Sequence, residues 1–99
     1  GIELVPSNYV LYQNYPNPFN PSTMIRFSLP AKSSVKLMIY DLLGREIVRL
    51  IDREMNEGYQ EVEWKANVST GIYFYRLEAT ALDNSGKRFV EVRKMVLMK

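Results

Sequence analysis

Apolar and polar residues alternate with a period of two along most of this chain, and this alternation restricts the possible folds more than any other feature of the sequence. In "IYFYRLEATAL", which spans 72–82, Tyr73, Tyr75, Leu77 and Ala79 share one face. A strand that buries one side has this pattern. Helical periodicity is weak everywhere in the chain. The pattern therefore predicts an all-β fold.

Seven segments have the alternation or composition of strands, and turn-forming residues separate them. Gly44 can adopt the positive φ of a tight turn at 42–44. The segment 52–58 is predicted to be a polar loop, and "DNSG" at 83–86 a hairpin turn. The predicted strands are 8–14 at a sheet edge, 23–30, 34–41, 45–51, 59–65, 72–82 and 87–99. Because no crossover helix fits between them, we expect an immunoglobulin-like antiparallel β-sandwich of about seven strands.

Two aromatic residues suit the core of such a sandwich. Trp64 lies on a middle strand, and Tyr73 lies near the start of a late strand. Tyr73 could form a tyrosine corner, in which the hydroxyl bonds back to nearby backbone. The alternative is that both residues are ordinary core aromatics.

The composition excludes several classes of function. The chain has 99 residues, which suits one domain, and 46% of them are hydrophobic. A net charge of +2 is too small to indicate a nucleic-acid partner. His and Cys are absent, which removes the commonest general base, any Ser-His-Asp triad and all thiol chemistry. We therefore expect no enzyme, no cofactor and no small-molecule substrate.

The first residues have the character of a linker. The chain opens "GIELVPSNYV" without an initiator Met or a signal pattern, so we expect a fragment of a longer protein. We assign 1–11 to a linker remnant and a possible edge strand, and 12–99 to the β-sandwich domain.

A stiff segment precedes the first clear strand. "YQNYPNPFNPST" (12–23) holds three prolines and three asparagines. Each proline removes an N–H donor and extends the residue before it, so the segment has little freedom to pair in a ladder. We expect a rigid crossover that Tyr15 and Phe19 anchor and that covers a sheet edge. The alternative is a polyproline ligand, since Pro18 and Pro21 have PxxP spacing.

The last strand carries a concentration of positive charge. Residues 87–99 include five Lys or Arg and one Glu, and apolar residues occupy both faces. The basic residues could protect an exposed edge. Alternatively, another protein could add a strand to this edge, and an acidic partner surface would be favoured.

Five blocks occur in an order that resembles a known family. They are "NYPNPFNPST", "VKLMIYDLLGREIVRL", "GYQEVEWKA", "TGIYFYRLEA" and "KMVLMK". Together they resemble the type A C-terminal sorting domain of the type IX secretion system. The same strand pattern is similar to the immunoglobulin-like domain of flagellar hook-cap proteins.

The resemblance implies a non-catalytic address label at the end of a larger cargo protein. The cargo would pass through the periplasm to the cell surface or the extracellular space. The implied partners are the outer-membrane translocon, a surface peptidase that can replace the domain by a surface anchor, and the fused N-terminal cargo domain. Two alternatives are a passive accessory module of a glycan-active or adhesive protein and a hook-cap-type domain.

The resemblance also assigns residues. The entry motif comprises Tyr15, Pro16, Asn17, Pro18, Phe19, Asn20 and Pro21. The terminal segment, expected to contact the translocon as a free end, comprises Lys94, Met95, Val96, Leu97, Met98 and Lys99. The turn and core positions of the family are Tyr40, Asp41, Gly44, Trp64, Gly71 and Tyr73. On this hypothesis, deletion of 94–99 abolishes export while the domain still folds.

Overall fold

Seven strands make up the regular structure of the computed structural model, which describes residues 5–99. Part of the expected linker, 1–4, lies outside the described residues. Residues 5–99 contain no helix long and apolar enough to cross a membrane. The strands are β1 (Val10–Leu11), β2 (Ser22–Leu29), β3 (Ser33–Tyr40), β4 (Glu46–Met55), β5 (Gly58–Lys65), β6 (Gly71–Ala81) and β7 (Arg88–Leu97).

The strands form two antiparallel sheets, with orders β1-β2-β5 and β4-β3-β6-β7. This confirms the predicted all-β sandwich of seven strands. The hairpins β3–β4 and β6–β7 lie within the larger sheet, and the β1–β2 connection returns to the smaller sheet. The other three connections cross between sheets. The order is that of an immunoglobulin sandwich in which the fourth strand pairs with the third instead of the fifth.

The core lies between the two sheets and contains the face of 72–82 that the alternation predicted. β2, β3 and β6 each bury alternate residues, because side chains of a strand point alternately to its two sides, whereas β4 buries only Ile51 and Met55. Burying a large aliphatic side chain contributes roughly 1.5–3 kcal/mol, so these positions dominate the stability of the domain. The fully buried apolar residues are Leu11, Ile25, Phe27, Leu29, Val35, Leu37, Ile39, Tyr75, Leu77, Ala79, Met95 and Leu97.

The domain also includes residues ahead of position 12. Val10 and Leu11 pair with β2 as the expected edge strand, and Leu11 is fully buried. The carbonyl of Asn8 accepts a hydrogen bond from the hydroxyl of Ser28, and the Tyr9 ring stacks on Phe89. The chain from residue 8 onward is therefore part of the sandwich.

The prediction of a polar loop at 52–58 is wrong. β4 continues to Met55, whose partner across the ladder is Ser33, and β5 already begins at Gly58. The polar residues 52–54 are exposed because β4 is the edge strand of its sheet, while Met55 is buried and holds the end of the strand. Backbone pairing with β3 outweighs the low strand propensity of charged residues.

The β3–β4 turn has the predicted glycine conformation. Gly44 has φ 82°, and its N–H donates to the Asp41 carbonyl at 3.0 Å. Asp41 Oδ1 accepts from the N–H groups of Leu43 and Arg45, both at 2.9 Å. Three hydrogen bonds lower the pKa of Asp41. The bond from the Arg45 N–H has the largest effect, and those from the Arg45 side chain and the Leu43 N–H have smaller effects. The carboxylate therefore serves as the acceptor that closes the turn.

Candidate functional site

The entry motif crosses from one sheet to the edge of the other. Tyr15 forms an isolated antiparallel bridge with Met24 of β2, and Phe19 forms a parallel bridge with Leu97 of β7. The peptide bonds before Pro16, Pro18 and Pro21 are cis. The motif therefore does cover a sheet edge, and it pairs with strands at two points despite its prolines.

Phe19 anchors the motif, but Tyr15 does not. Phe19 is 2% exposed, and its ring centroid lies 5.7 Å from that of Trp64. Trp64 in turn meets Tyr73 edge-on at 5.9 Å. Tyr15 is 72% exposed, so the prediction that it anchors the segment is wrong. Its backbone pairs with Met24, and this pairing directs the ring into solvent.

The spacing of Pro18 and Pro21 does not create a free polyproline ligand. Phe19, which lies between them, is buried against the sandwich. A PxxP ligand must present its central residues to a partner's groove. The geometry therefore favours the rigid crossover over the ligand alternative.

The entry motif and the terminal segment form one structure, although more than 70 residues separate them in the sequence. The Phe19 N–H donates to the Val96 carbonyl, and the Met98 N–H donates to the Phe19 carbonyl, both at 3.0 Å. The Val96 N–H donates to Asn17 Oδ1 at 2.9 Å. The side-chain amide of Gln13, just before the motif, donates to the Lys94 carbonyl at 2.8 Å.

The terminal segment is not a free end. β7 extends to Leu97, and both Met95 and Leu97 are fully buried in the core. Lys94, Met98 and Lys99 are exposed. Deletion of 94–99 would therefore remove two core residues as well as the exposed ones, so we no longer expect the truncated domain to fold. The sequence did not reveal that this segment is paired, because its pairing partner is the entry motif, which is distant in the chain.

A buried polar network that the sequence analysis missed fixes the start of the motif. The side-chain amide of Asn14 donates to the Thr23 hydroxyl at 3.0 Å and to the Pro16 carbonyl at 3.2 Å. The Thr23 hydroxyl also donates to the Pro16 carbonyl, at 2.9 Å. Asn14 and Thr23 are both buried. The one feature of the sequence that could have indicated this network is the position of the two residues, which flank the prolines within "NYPNPFNPST".

Tyr75 links this network to the core. Its hydroxyl accepts from the Asn14 N–H at 2.8 Å and donates to the Tyr12 carbonyl at 2.7 Å. Burial raises the pKa of Tyr75 to about 12. The hydrogen bond with Asn14 and the charge of Arg93 lower this pKa, but by less than burial raises it. The neutral hydroxyl is thus held as a bridge between β6 and the chain that leads into the entry motif.

The predicted turn and core residues lie near the same end of the sandwich. The Tyr73 hydroxyl donates to the Ser69 carbonyl at 2.6 Å, which is the contact expected of a tyrosine corner. Gly71 pairs directly with Leu97. Tyr40 pairs with Phe74, which pairs with Lys94, so the turn at 41–44 lies two strands away from β7.

Most of the chain is similar to one known protein family. The family model described as "secretion system C-terminal sorting domain" matches residues 13–92. The chain belongs to this family. The search of curated proteins and the search of solved structures each returned no match.

Membership confirms the resemblance and gives the sorting domain its role in type IX secretion. It implies that a protein carrying the domain is exported to the cell surface or beyond it. The matched region includes the whole entry motif and the first half of β7, and it ends two residues before the terminal segment. The exposed residues at this end of the domain are Tyr15, Pro16, Asn17, Pro18, Asn20, Lys94, Met98 and Lys99.

Proposed function

We propose that the sorting domain directs a larger cargo protein, fused ahead of it, through the outer membrane by binding the type IX translocon. The domain itself catalyses no reaction. A surface peptidase that removes the domain after export is its second partner. The observation that carries this proposal is the family match over 13–92.

We further propose that the translocon recognises a folded surface and not an extended peptide. The hydrogen bonds between Phe19 and residues 96 and 98 hold the two segments side by side. The exposed side chains of both segments therefore stand on one rigid support. They include Tyr15, Asn17, Pro18, Lys94, Met98 and Lys99.

An export assay tests the proposal. Residues 1–99 are fused to the end of a periplasm-directed fluorescent protein in a bacterium that has type IX secretion. The wild-type fusion is expected in the culture fluid or on the cell surface. A double variant, Met98→Ser with Lys99→Glu, should keep the fusion in the periplasm, because it changes exposed side chains and leaves the buried Met95 and Leu97 intact.

The matched control is Lys87→Glu, which reverses an exposed charge at the other end of β7. This variant should be exported normally. Export of the double variant at the wild-type level would contradict recognition through the terminal segment. Retention of the wild-type fusion in the periplasm would contradict the sorting function itself and would favour a passive accessory module.

A further inference from the structure

The four outer strands of the sandwich differ in how well their free edges are protected. β1 has only two residues, and β4 bulges at Leu50 and Ile47, where its ladder with β3 shifts register. β5 carries charged residues on its outer face at 61, 63 and 65. Short strands, bulges and charges all discourage the addition of another strand.

The β7 edge lacks these protections between its two outer-face charges, Arg88 and Lys94. Its ladder with β6 is regular from the Gly71–Leu97 pair to the Thr80–Arg88 pair, and it contains no proline. Two valines, Val90 and Val92, stand on its outer face and are 40% and 52% exposed. β7 is therefore the edge of this domain that is most open to strand addition.

The backbone of β7 is oriented to accept a new strand. The Val96 N–H and C=O bond to Asn17 and Phe19, so they point away from β6. This orientation repeats at every second residue of an antiparallel ladder, which gives the backbone groups of Val92 and Val90 the same outward direction. Within residues 5–99, those groups have no hydrogen-bond partner.

The entry motif shows that this edge can pair. Phe19 already forms a parallel bridge on it, at Leu97. An added strand paired with 88–92 would continue the same edge beyond that contact and beyond the Lys94 carbonyl, which already accepts from Gln13. The site is thus an extension of an interface that the chain itself uses.

Charges flank the two valines and define the partner. Arg88, Val90, Val92 and Lys94 follow one another on the outer face at a spacing of two. Arg88 also forms a salt bridge with Glu78 at 2.9 Å. Its side chain is exposed, so the other N–H groups of its guanidinium can bind an acidic residue of a partner. Opposite charges directly across a ladder stabilise the pairing, and like charges oppose it.

We propose that the β7 edge binds an extended strand of a partner protein by β-augmentation. The strand carries apolar residues opposite Val90 and Val92 and acidic residues opposite Arg88 and Lys94. This inference rests on the proposed function, since it assigns the strand to the export machinery. The backbone pairing supplies affinity, and the alternating side chains supply specificity.

The probe is the peptide Glu-Thr-Val-Thr-Val-Thr-Glu with blocked ends, whose sequence is the same in both directions, so the orientation of pairing need not be known. The 99-residue chain should bind it more tightly than Lys-Thr-Val-Thr-Val-Thr-Lys, measured by titration calorimetry at low salt. Lys94→Glu should weaken binding of the acidic peptide and strengthen binding of the basic one.

Val92→Pro is the backbone test. The proline removes an outward N–H but no hydrogen bond between β7 and β6. It should weaken peptide binding about tenfold, which corresponds to roughly 1.4 kcal/mol of binding free energy. The matched control is Glu63→Pro on β5. Glu63 lies opposite Met24, whose backbone bonds to Tyr15, so its N–H also points to solvent. This control should leave peptide binding unchanged.

Equal binding of both peptides, or wild-type binding by Val92→Pro with a folded circular dichroism spectrum, would overturn the inference. In the export assay, a folded Val92→Pro fusion should be retained in the periplasm. Its normal export, with the wild type also exported, would refute the role of the edge and leave the sorting function intact. Retention of the wild type would refute the sorting function, while the peptide result would still decide strand addition.

Discussion

Truncation of Phe19 to alanine tests whether the entry motif is a structural anchor. The side chain is 2% exposed and packs against Trp64, so the change leaves a cavity between the motif and the core. A buried Phe→Ala substitution costs about 3–5 kcal/mol. A domain of this length has about 5–15 kcal/mol of stability in total, so the variant should lose about a fifth of it or more.

Urea unfolding of the 99-residue chain, followed by tryptophan fluorescence, measures this loss. With an m-value near 2 kcal/mol/M, the midpoint should fall by about 2 M. Trp64 is the only tryptophan in the chain and lies beside Phe19, so the signal reports on the site directly. The control is Tyr15→Ala, in the same motif but 72% exposed, which should change the stability by less than about 0.5 kcal/mol.

An unchanged midpoint for Phe19→Ala would refute the packing argument. Phe19 would then be exposed in solution, and the ligand alternative for the entry motif would return. Equal losses for Phe19→Ala and Tyr15→Ala would show that the motif as a whole, and not one buried ring, holds the crossover in place.

Two further predictions concern backbone and ionisation. Gly44→Ala should lower the free energy of unfolding by about 1–2 kcal/mol, because Gly44 has φ 82°, which an alanine rarely adopts. A new Cβ would meet no atom there, so the cost would come from the backbone alone. Gly71→Ala, where a Cβ meets only ordinary contacts, should cost less in the same unfolding assay. Equal losses would contradict the conformational argument. Tyr75 has its pKa raised from about 10 to about 12, so its contribution to stability is complete below pH 10 and is lost as the pH rises toward 12. Absorbance titration should show one tyrosine that ionises late, and Tyr75→Phe should remove that step; an unchanged titration curve would contradict the assignment.

Local pattern was sufficient for most of the strands. In β2, β3, β5 and β6 the alternation identified the extent of the strand to within one residue, and in β6 it also identified the buried face, because the period of two is a property of the strand alone. It failed in β4, where 52–54 are charged yet paired. An edge strand tolerates such residues, and no local signal states which strand will be at an edge.

The sequence indicated both segments of the candidate site, but it did not indicate that they pair with each other. The prolines marked the entry motif, and the charges marked the last strand. That Phe19 would bond to Val96 and Met98 could not be predicted, since the contact depends on how two sheets bring distant segments together. The same reason explains the error over the terminal segment, which looked accessible from its position in the chain.

The sequence alone therefore determined the all-β class, the extent of most strands, the buried face of β6, the turn at Gly44 and the family. These follow from local periodicity, backbone preference and residue motifs. Only the tertiary structure decided that Tyr15 is exposed, that Met95 and Leu97 belong to the core, and that Asn14, Thr23 and Tyr75 join in one network. Each of these depends on contacts between residues far apart in the chain, and such contacts are set by the packing of the two sheets.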